Sequence, residues 1–162
     1  MVVAEAYAAG AGHVTVIWAD DAVTRLTYEH VEKSYFEQTP EWKRMQLDSL
    51  AQDGACFVFI GADPAALKGI DPAKPAAASK ARNTQCKVFR RGLDYNINPW
   101  CIAGAPVVAW AHEVFPGDAD EVAIYKLWNA ILHTARADGQ DPESDWELHD
   151  AAFEKNLRFL ND

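Results

Sequence analysis

The sequence predicts an α/β domain: a mostly parallel sheet flanked by helices, with a C-terminal antiparallel helix hairpin. Three observations point there. Ala55-Cys56-Phe57-Val58-Phe59-Ile60 is continuously apolar, the pattern of a strand covered on both faces. Runs of this kind alternate with segments of helical period. Finally, two amphipathic helical patterns close the chain and are joined by so short a loop that they should lie antiparallel. At 162 residues the chain is long enough for one domain with a sizeable core. Its expected parts are an α/β core over 1–117 and a hairpin over 118–162 packed on the same domain.

The first twelve residues are rich in Ala and suit a short helix ended by Gly10 and Gly12. Val14-Thr15-Val16-Ile17-Trp18 reads as a strand, being dense in β-branched and aromatic residues. From Thr24 to Gln38 the pattern is mixed, with a helical stretch conceivable over 28–36. Thr39-Pro40 then signals a helix start, with Thr39 as N-cap and Pro40 in the first position, and the helix should run to Gln52 and stop at Asp53-Gly54. After the buried strand, Gly61-Ala62-Asp63-Pro64 makes a turn, and the Ala- and Lys/Arg-rich stretch from Pro72 to Arg91 reads as one helix. Trp100-Cys101-Ile102-Ala103 is a weaker third strand, and Val107 to Phe115 a short helix stopped by Pro116-Gly117. Asp118 and Glu121 form a capping-box-like start to a helix whose stripe is Ile124, Leu127, Trp128, Ile131, Leu132 and Ala135. Asp141-Pro142 opens the last helix, with Trp146, Phe153, Leu157 and Leu160 as its apolar stripe. Three strands are few for such a sheet, which leaves room for an edge or central strand outside this chain.

Composition narrows the function. Apolar residues make up 49% and aromatics 11%, with six Trp, so the chain is globular rather than disordered. Fifteen Lys and Arg against 24 Asp and Glu give a net charge of -9, the wrong sign for a general nucleic-acid binder. No run approaches the ~18 apolar residues of a membrane span. Three cysteines without C-x-x-C spacing argue against a disulfide framework or a zinc ribbon, and the N-terminus lacks the pattern of a signal peptide. The expected location is the cytoplasm.

No complete catalytic constellation is visible. His112-Glu113 begins like the zinc motif H-E-x-x-H, but the position of the second His is Pro116, which neither binds zinc nor continues a helix. Glu147, His149 and Asp150 lie close together, yet their surroundings, Glu143, Asp145 and Glu154, are those of a solvated acidic face. Gly61 ends a strand where doubly wound folds hold phosphates, but the turn lacks G-x-G-x-x-G, and Asp63 would repel a phosphate. None of Ser34, Ser49, Ser79 and Ser144 has the flanking glycines of a nucleophile elbow, and Cys56, Cys86 and Cys101 sit in apolar or helical contexts that suit packing. Charge is unevenly placed: from Lys68 to Arg91 seven basic residues face Asp71 alone, and from Glu113 to Asp150 ten acids face Lys126 and Arg136. Such a basic stretch either docks an anionic partner or is a solvated face.

An ordered series of short motifs is more specific than any of these. Glu5-Ala6-Tyr7-Ala8-Ala9-Gly10-Ala11 leads into Val14-Thr15-Val16-Ile17-Trp18-Ala19-Asp20. Pro40-x-Trp42, Gly61-Ala62-Asp63-Pro64 and Leu67-x-Gly69-Ile70-Asp71-Pro72-x-Lys74 follow. Trp100-Cys101-Ile102 with Pro106, Trp110-Ala111-x-x-Val114-Phe115-Pro116, Leu127-Trp128 and Asp141-Pro142-x-x-x-Trp146-x-x-His149 complete it. Together, over about residues 4 to 160, these resemble the N-terminal domain of the aminopeptidase T family, the thermophilic-type metallo-aminopeptidases that include AmpS-like and PepS-like enzymes. The resemblance implies a dimeric exopeptidase that removes N-terminal amino acids from peptides with a pair of divalent metal ions, zinc or cobalt. It implies that the Glu, His and Asp ligands and a catalytic Tyr belong to a C-terminal domain. No catalytic, metal or cofactor residue is therefore assigned to a position of this chain, and none of the metal is expected to be bound by it. It also implies that family members carry a helix and a strand before the Glu5-Ala6-Tyr7 region, so that the chain is truncated at both ends. The implied partners are the missing catalytic domain, a second copy and peptide substrates, with neither nucleic acid nor membrane. A stand-alone binding or scaffold module derived from that domain is the alternative, and a nucleotide-binding domain using the Gly61 turn is a weaker one.

Overall fold

Two parallel strands, β1 (Phe57–Gly61) and β2 (Trp100–Gly104), form the sheet, in register from Phe57 opposite Trp100 to Gly61 opposite Gly104. The computed structural model describes residues 2–61 and 63–161. Around the strands the order is α1 (Val2–Ala8), α2 (Asp21–His30), a 3-10 turn (Lys33–Glu37), α3 (Glu41–Gln52), β1, α4 (Ala73–Gln85), α5 (Lys87–Asp94), β2, α6 (Val108–Val114), α7 (Asp120–Thr134) and α8 (Pro142–Asn161). The long connection from β1 through α4 and α5 to β2 is the crossover a parallel pair requires. An α/β fold with a small parallel sheet is thus what the chain adopts.

Several expectations are corrected. Val14–Trp18 joins no sheet and has no regular structure, with Trp18 88% exposed. Strand propensity is realised only against a neighbouring strand, and among the described residues none pairs with this segment. The uncertain region before Gln38 resolves into α2 and the 3-10 turn. Helix α3 starts at Glu41 with Pro40 as its N-cap, while the Thr39 N–H is taken by Gln85 Oε1 at 2.7 Å. The stretch from Pro72 to Arg91 is two helices rather than one, broken at Cys86 (φ -83°, ψ 71°). The break lets Cys86 and Phe89 turn inward, and Asp48 of α3 accepts the Phe89 N–H at 3.0 Å, capping α5 from a neighbouring helix. Helix α7 begins one residue after Ala119 and has no side-chain cap; Asp118 instead holds Lys126 Nζ at 2.8 Å. The turn residue Ala62 lies outside the described residues.

Helices α7 and α8 are not seen to pack along their length as a hairpin. Trp146 Nε1 donates to Ala135 O at 3.0 Å beside the connecting loop, but no residue of α8 is buried, and Leu148, Phe153, Leu157 and Leu160 of its apolar side stay exposed.

Two small cores sit either side of the sheet's length. One gathers Ala51, Phe57, Cys86 and Phe89, with Leu47, Leu50, Ala55 and Leu93 against them. The other gathers Ala111, Ala123 and Leu127, with Trp110, Phe115, Ile124 and Ile131. The sheet links them: Phe57 begins β1 in the first, and Gly104 ends β2 under Trp110, where an added Cβ would lie 3.0 Å from the indole ring.

Asn98, 1% exposed, locks the first core. Its Nδ2 donates to Ala51 O (3.0 Å) and Ala55 O (2.9 Å), and its backbone N–H to Gly92 O (3.0 Å). An added Cβ at Gly92 would overlap Asn98 Oδ1, so glycine there is required by close approach. Asn98→Ala leaves carbonyls next to the core unpaired and should cost about 2–3 kcal/mol. Gly92→Ala should cost about 1–3 kcal/mol through overpacking. Urea unfolding measures both, with Arg158→Ala on exposed α8 as a control expected to change stability by less than about 0.5 kcal/mol.

Candidate functional site

The titratable pairs that the sequence draws attention to are local and exposed. His112 Nε2 meets Asp120 Oδ1 at 2.8 Å across the α6–α7 connection, and Glu113 points to solvent. Glu147 and Asp150 are exposed on α8, whereas His149 is held edge-on between Trp146 and Phe153, with ring centroids 5.5 and 4.9 Å away. The three do not converge. Beside His149, a depression of about 600 Å³ is lined by His133, Thr134, Arg136, Asp138, Asp145 and Leu148. Within it the His133 ring, through Nδ1 at 2.8 Å, holds the Asp138 carboxyl below its usual range.

Among the described residues no three His, Cys, Asp or Glu side chains stand close enough together to hold a metal ion. A zinc site takes at least three protein ligands, so these pairs do not make one, and no metal-assisted step can be derived from them.

The other candidates resolve similarly. Asp63 Oδ1 accepts the Ala65 N–H at 2.8 Å, so the carboxylate after β1 builds its own turn where a phosphate would need open N–H groups. The basic stretch frames an open cleft of about 590 Å³ lined by Asn83, Lys87, Arg90, Arg91, Tyr95 and Ile97, in which Arg90 is neutralised by Asp94 (Nε to Oδ2, 2.8 Å). Cys86 is fully buried; burial first and the Asp48 charge second push its thiol up, away from the reactive thiolate. Cys56 and Cys101, expected to pack, are exposed because the sheet around them is uncovered. No described helix is long and apolar enough to cross a membrane.

That uncovered sheet is the feature the sequence reading placed wrongly. The apolar run predicted burial on both faces, yet only Phe57 of β1 is buried. Val58 is 46%, Ile60 57%, Trp100 44% and Ile102 71% exposed. Parallel strands are normally covered on both faces, and exposed apolar patches mark interaction surfaces. The apolar run by itself carries no information on whether a neighbouring segment lies over the strand.

Known proteins resemble this chain along its whole length. The family described as thermophilic metalloprotease (M29) matches residues 1–162. The chain belongs to the M29 family. It is 36% identical to aminopeptidase AmpS of Bacillus subtilis over 100% of this chain and 40% of that protein. It is 32% identical to aminopeptidase T of Thermus thermophilus over 97% of this chain and 39% of that protein. Among solved structures, wild-type AmpT from Thermus thermophilus superposes with a TM-score of 0.79 at 28% identity, over 99% of this chain and 39% of that one. The chain therefore spans about 40% of the length of the M29 relatives it matches.

One local device in this region has a defined pH response. Asp141 starts α8, its Oδ2 accepting from Ser144 Oγ (2.7 Å) and its Oδ1 from Ser144 N (3.2 Å), and these bonds hold its carboxyl below the ordinary value of 3.8. A depressed carboxylate contributes stability above its unfolded value and loses it as pH falls through the folded one. The Ser144 amide shift should accordingly titrate with a midpoint below 3.8, and the first turn of α8 should fray on the acid side of it. Asp141→Asn should abolish that titration; an NMR midpoint at or above 3.8 would contradict the assignment.

Proposed function

We propose that this chain is the non-catalytic N-terminal α/β domain of a metal-dependent aminopeptidase, the part that walls the substrate cavity of an enzyme releasing N-terminal amino acids from peptides. The observation that carries it is the apolar parallel sheet left bare in a chain spanning about 40% of its M29 relatives. A bare sheet of Val58, Ile60, Trp100 and Ile102 is what a docked catalytic domain would cover. On this reading the two divalent ions, zinc or cobalt, and the groups that activate water on them belong to that domain, and no residue here is catalytic or a metal ligand. The α/β part over 1–117 and the helical part over 118–162 act as one domain. Its partners are the rest of the polypeptide and a second copy in a homodimer, and the setting is the cytoplasm.

A second reading, a free-standing scaffold module, is favoured by the exposed tryptophans Trp18, Trp42, Trp100, Trp128 and Trp146. Hydrolysis of leucine p-nitroanilide with added zinc or cobalt separates the two. The 162-residue chain should give no turnover, and the polypeptide as its source cell makes it should give metal-dependent turnover. Turnover by the short chain that survives His149→Ala would overturn the domain assignment. A source-cell product of 17.9 kDa without activity would favour the scaffold. The short chain should also bind an apolar-surface dye strongly, and weak binding by a monodisperse monomer would argue against an orphaned interface.

A further inference from the structure

The loop that leaves the carboxyl end of β1 is held from outside rather than from within. Between Asp63 and Asp71 its backbone bonds are short turns: Ala66 N to Asp63 O (3.2 Å), Lys68 N to Ala65 O (2.9 Å) and Ile70 N to Leu67 O (3.0 Å). None of these loop residues is buried. Such turns shape a loop locally and leave its place in the domain to longer contacts. Among the described residues, the long-range hydrogen bonds to this loop come from Arg25 of α2. Its Nη1 donates to Ala66 O (3.1 Å) and Lys68 O (2.9 Å), 41 and 43 residues away in sequence, while its Nε meets Glu29 Oε1 at 2.9 Å. Three acceptors around one planar guanidinium fix its orientation, which the point charge of a lysine would not do.

The support behind Arg25 is itself tied down. Lys74 Nζ, at the start of α4, donates to Tyr28 O near the end of α2 (2.6 Å). At the far end of α4, Gln85 donates through Nε2 to Glu37 O (3.2 Å) and accepts the Thr39 N–H through Oε1 (2.7 Å). Helix α4 thus grips the segment from α2 to the 3-10 turn at two points, and Arg25 passes that fixed position on to the loop.

The loop stands where open α/β sheets hold ligands, outside the carboxyl ends of the strands. The chain leaving β2 starts beside it, with Ala105 N donating to Gly61 O at 2.8 Å. What the loop offers there is backbone. A trans peptide points its N–H opposite to its C=O. Turning carbonyls 66 and 68 to Arg25 therefore turns the N–H groups of Leu67 and Gly69 away from it, and among the described residues neither has an acceptor. Gly69, at φ 86°, also has no side chain to screen its N–H.

We propose that Arg25 is a positioning residue of the peptide site: by holding the Ala66 and Lys68 carbonyls, it presents the Leu67 and Gly69 N–H groups to main-chain carbonyls of the bound peptide. The inference rests on the reading that this domain walls the substrate cavity of an aminopeptidase. Arg25 itself touches no substrate. Its loss weakens binding of substrate and transition state alike, an effect that shows in KM and not in kcat.

Two measurements on the polypeptide at its natural length test this. Arg25→Ala should raise KM for leucyl-glycyl-glycine about 10-fold and leave kcat within about 2-fold, with Arg25→Lys in between. Leucyl-glycyl-glycine with its first peptide bond reduced, an uncleavable probe, should slow hydrogen exchange at the Leu67 and Gly69 amides at least about 10-fold in the unsubstituted protein and not in Arg25→Ala. If Arg25→Ala does not fold, Arg25→Lys and the protection in the unsubstituted protein decide. An unchanged KM, a fall in kcat at unchanged KM, or no protection of the two amides at saturating probe overturns the proposal while the enzyme remains an aminopeptidase. Absence of peptide hydrolysis by the unsubstituted natural polypeptide is a different result, which overturns the aminopeptidase reading and this inference with it.

Discussion

The approach of Asn98 to Gly92 is the constraint on which the described structure turns. A primary amide has two N–H groups, and Asn98 spends both on carbonyls at the end of α3 and in the link to β1. Its own N–H fastens the chain after α5 to Gly92 O. One buried side chain therefore sets the end of a helix, the start of one strand and the entry to the other. Sequence separations of 47 and 43 residues are closed at a single point, so the Phe57–Trp100 register follows from it. Asn98 is itself 1% exposed, which makes each of these bonds costly to leave unmade.

From that point the sheet carries order outward, and it does so with little support of its own. A two-stranded ribbon is marginal in water, and here its ends are clamped: Phe57 in one core, Gly104 beneath Trp110 in the other. Between the clamps, Val58, Ile60 and Ile102 meet solvent. The two cores are therefore coupled through the strands, since both are fastened to the same pair.

The sequence was legible where the signal is local. Glycine stops read correctly because a positive φ is a one-residue property: Gly10 (φ 94°) and Gly54 (φ 79°) end α1 and α3 as expected. Asp141 reads as a helix start for the same reason. Illegible features were those decided at a distance. The bend at Cys86 depends on Asp48 from another helix capping Phe89, and nothing between Pro72 and Arg91 announces it. Val14–Trp18 has strand chemistry and lacks a strand partner, so local preference is honest and the outcome is set elsewhere. Of the candidate site, His112-Glu113 lies across the α6–α7 connection from Asp120, and Glu147, His149 and Asp150 on α8 do not converge. The exposure of β1 was illegible, since its apolar run signals burial while Val58 and Ile60 are 46% and 57% exposed.

Charge and apolarity then divide the molecule by role. Some charges find partners close in sequence, Arg90 with Asp94, Lys126 with Asp118, Arg25 with Glu29, and such exposed pairs stabilise by less than about 1 kcal/mol each. The apolar strands have no such local solution. A side chain like Ile102 is relieved only by another surface, and an unpaired N–H such as that of Val58 finds a lasting partner only in water or another strand. The same two residues of β1, Val58 and Ile60, carry both demands, an apolar face to cover and an edge to pair. A cover made of side chains alone, such as a docked helix, would meet the first demand and leave the second. A strand meets both at once, so the bare face and the open edge of β1 are one physical demand and not two.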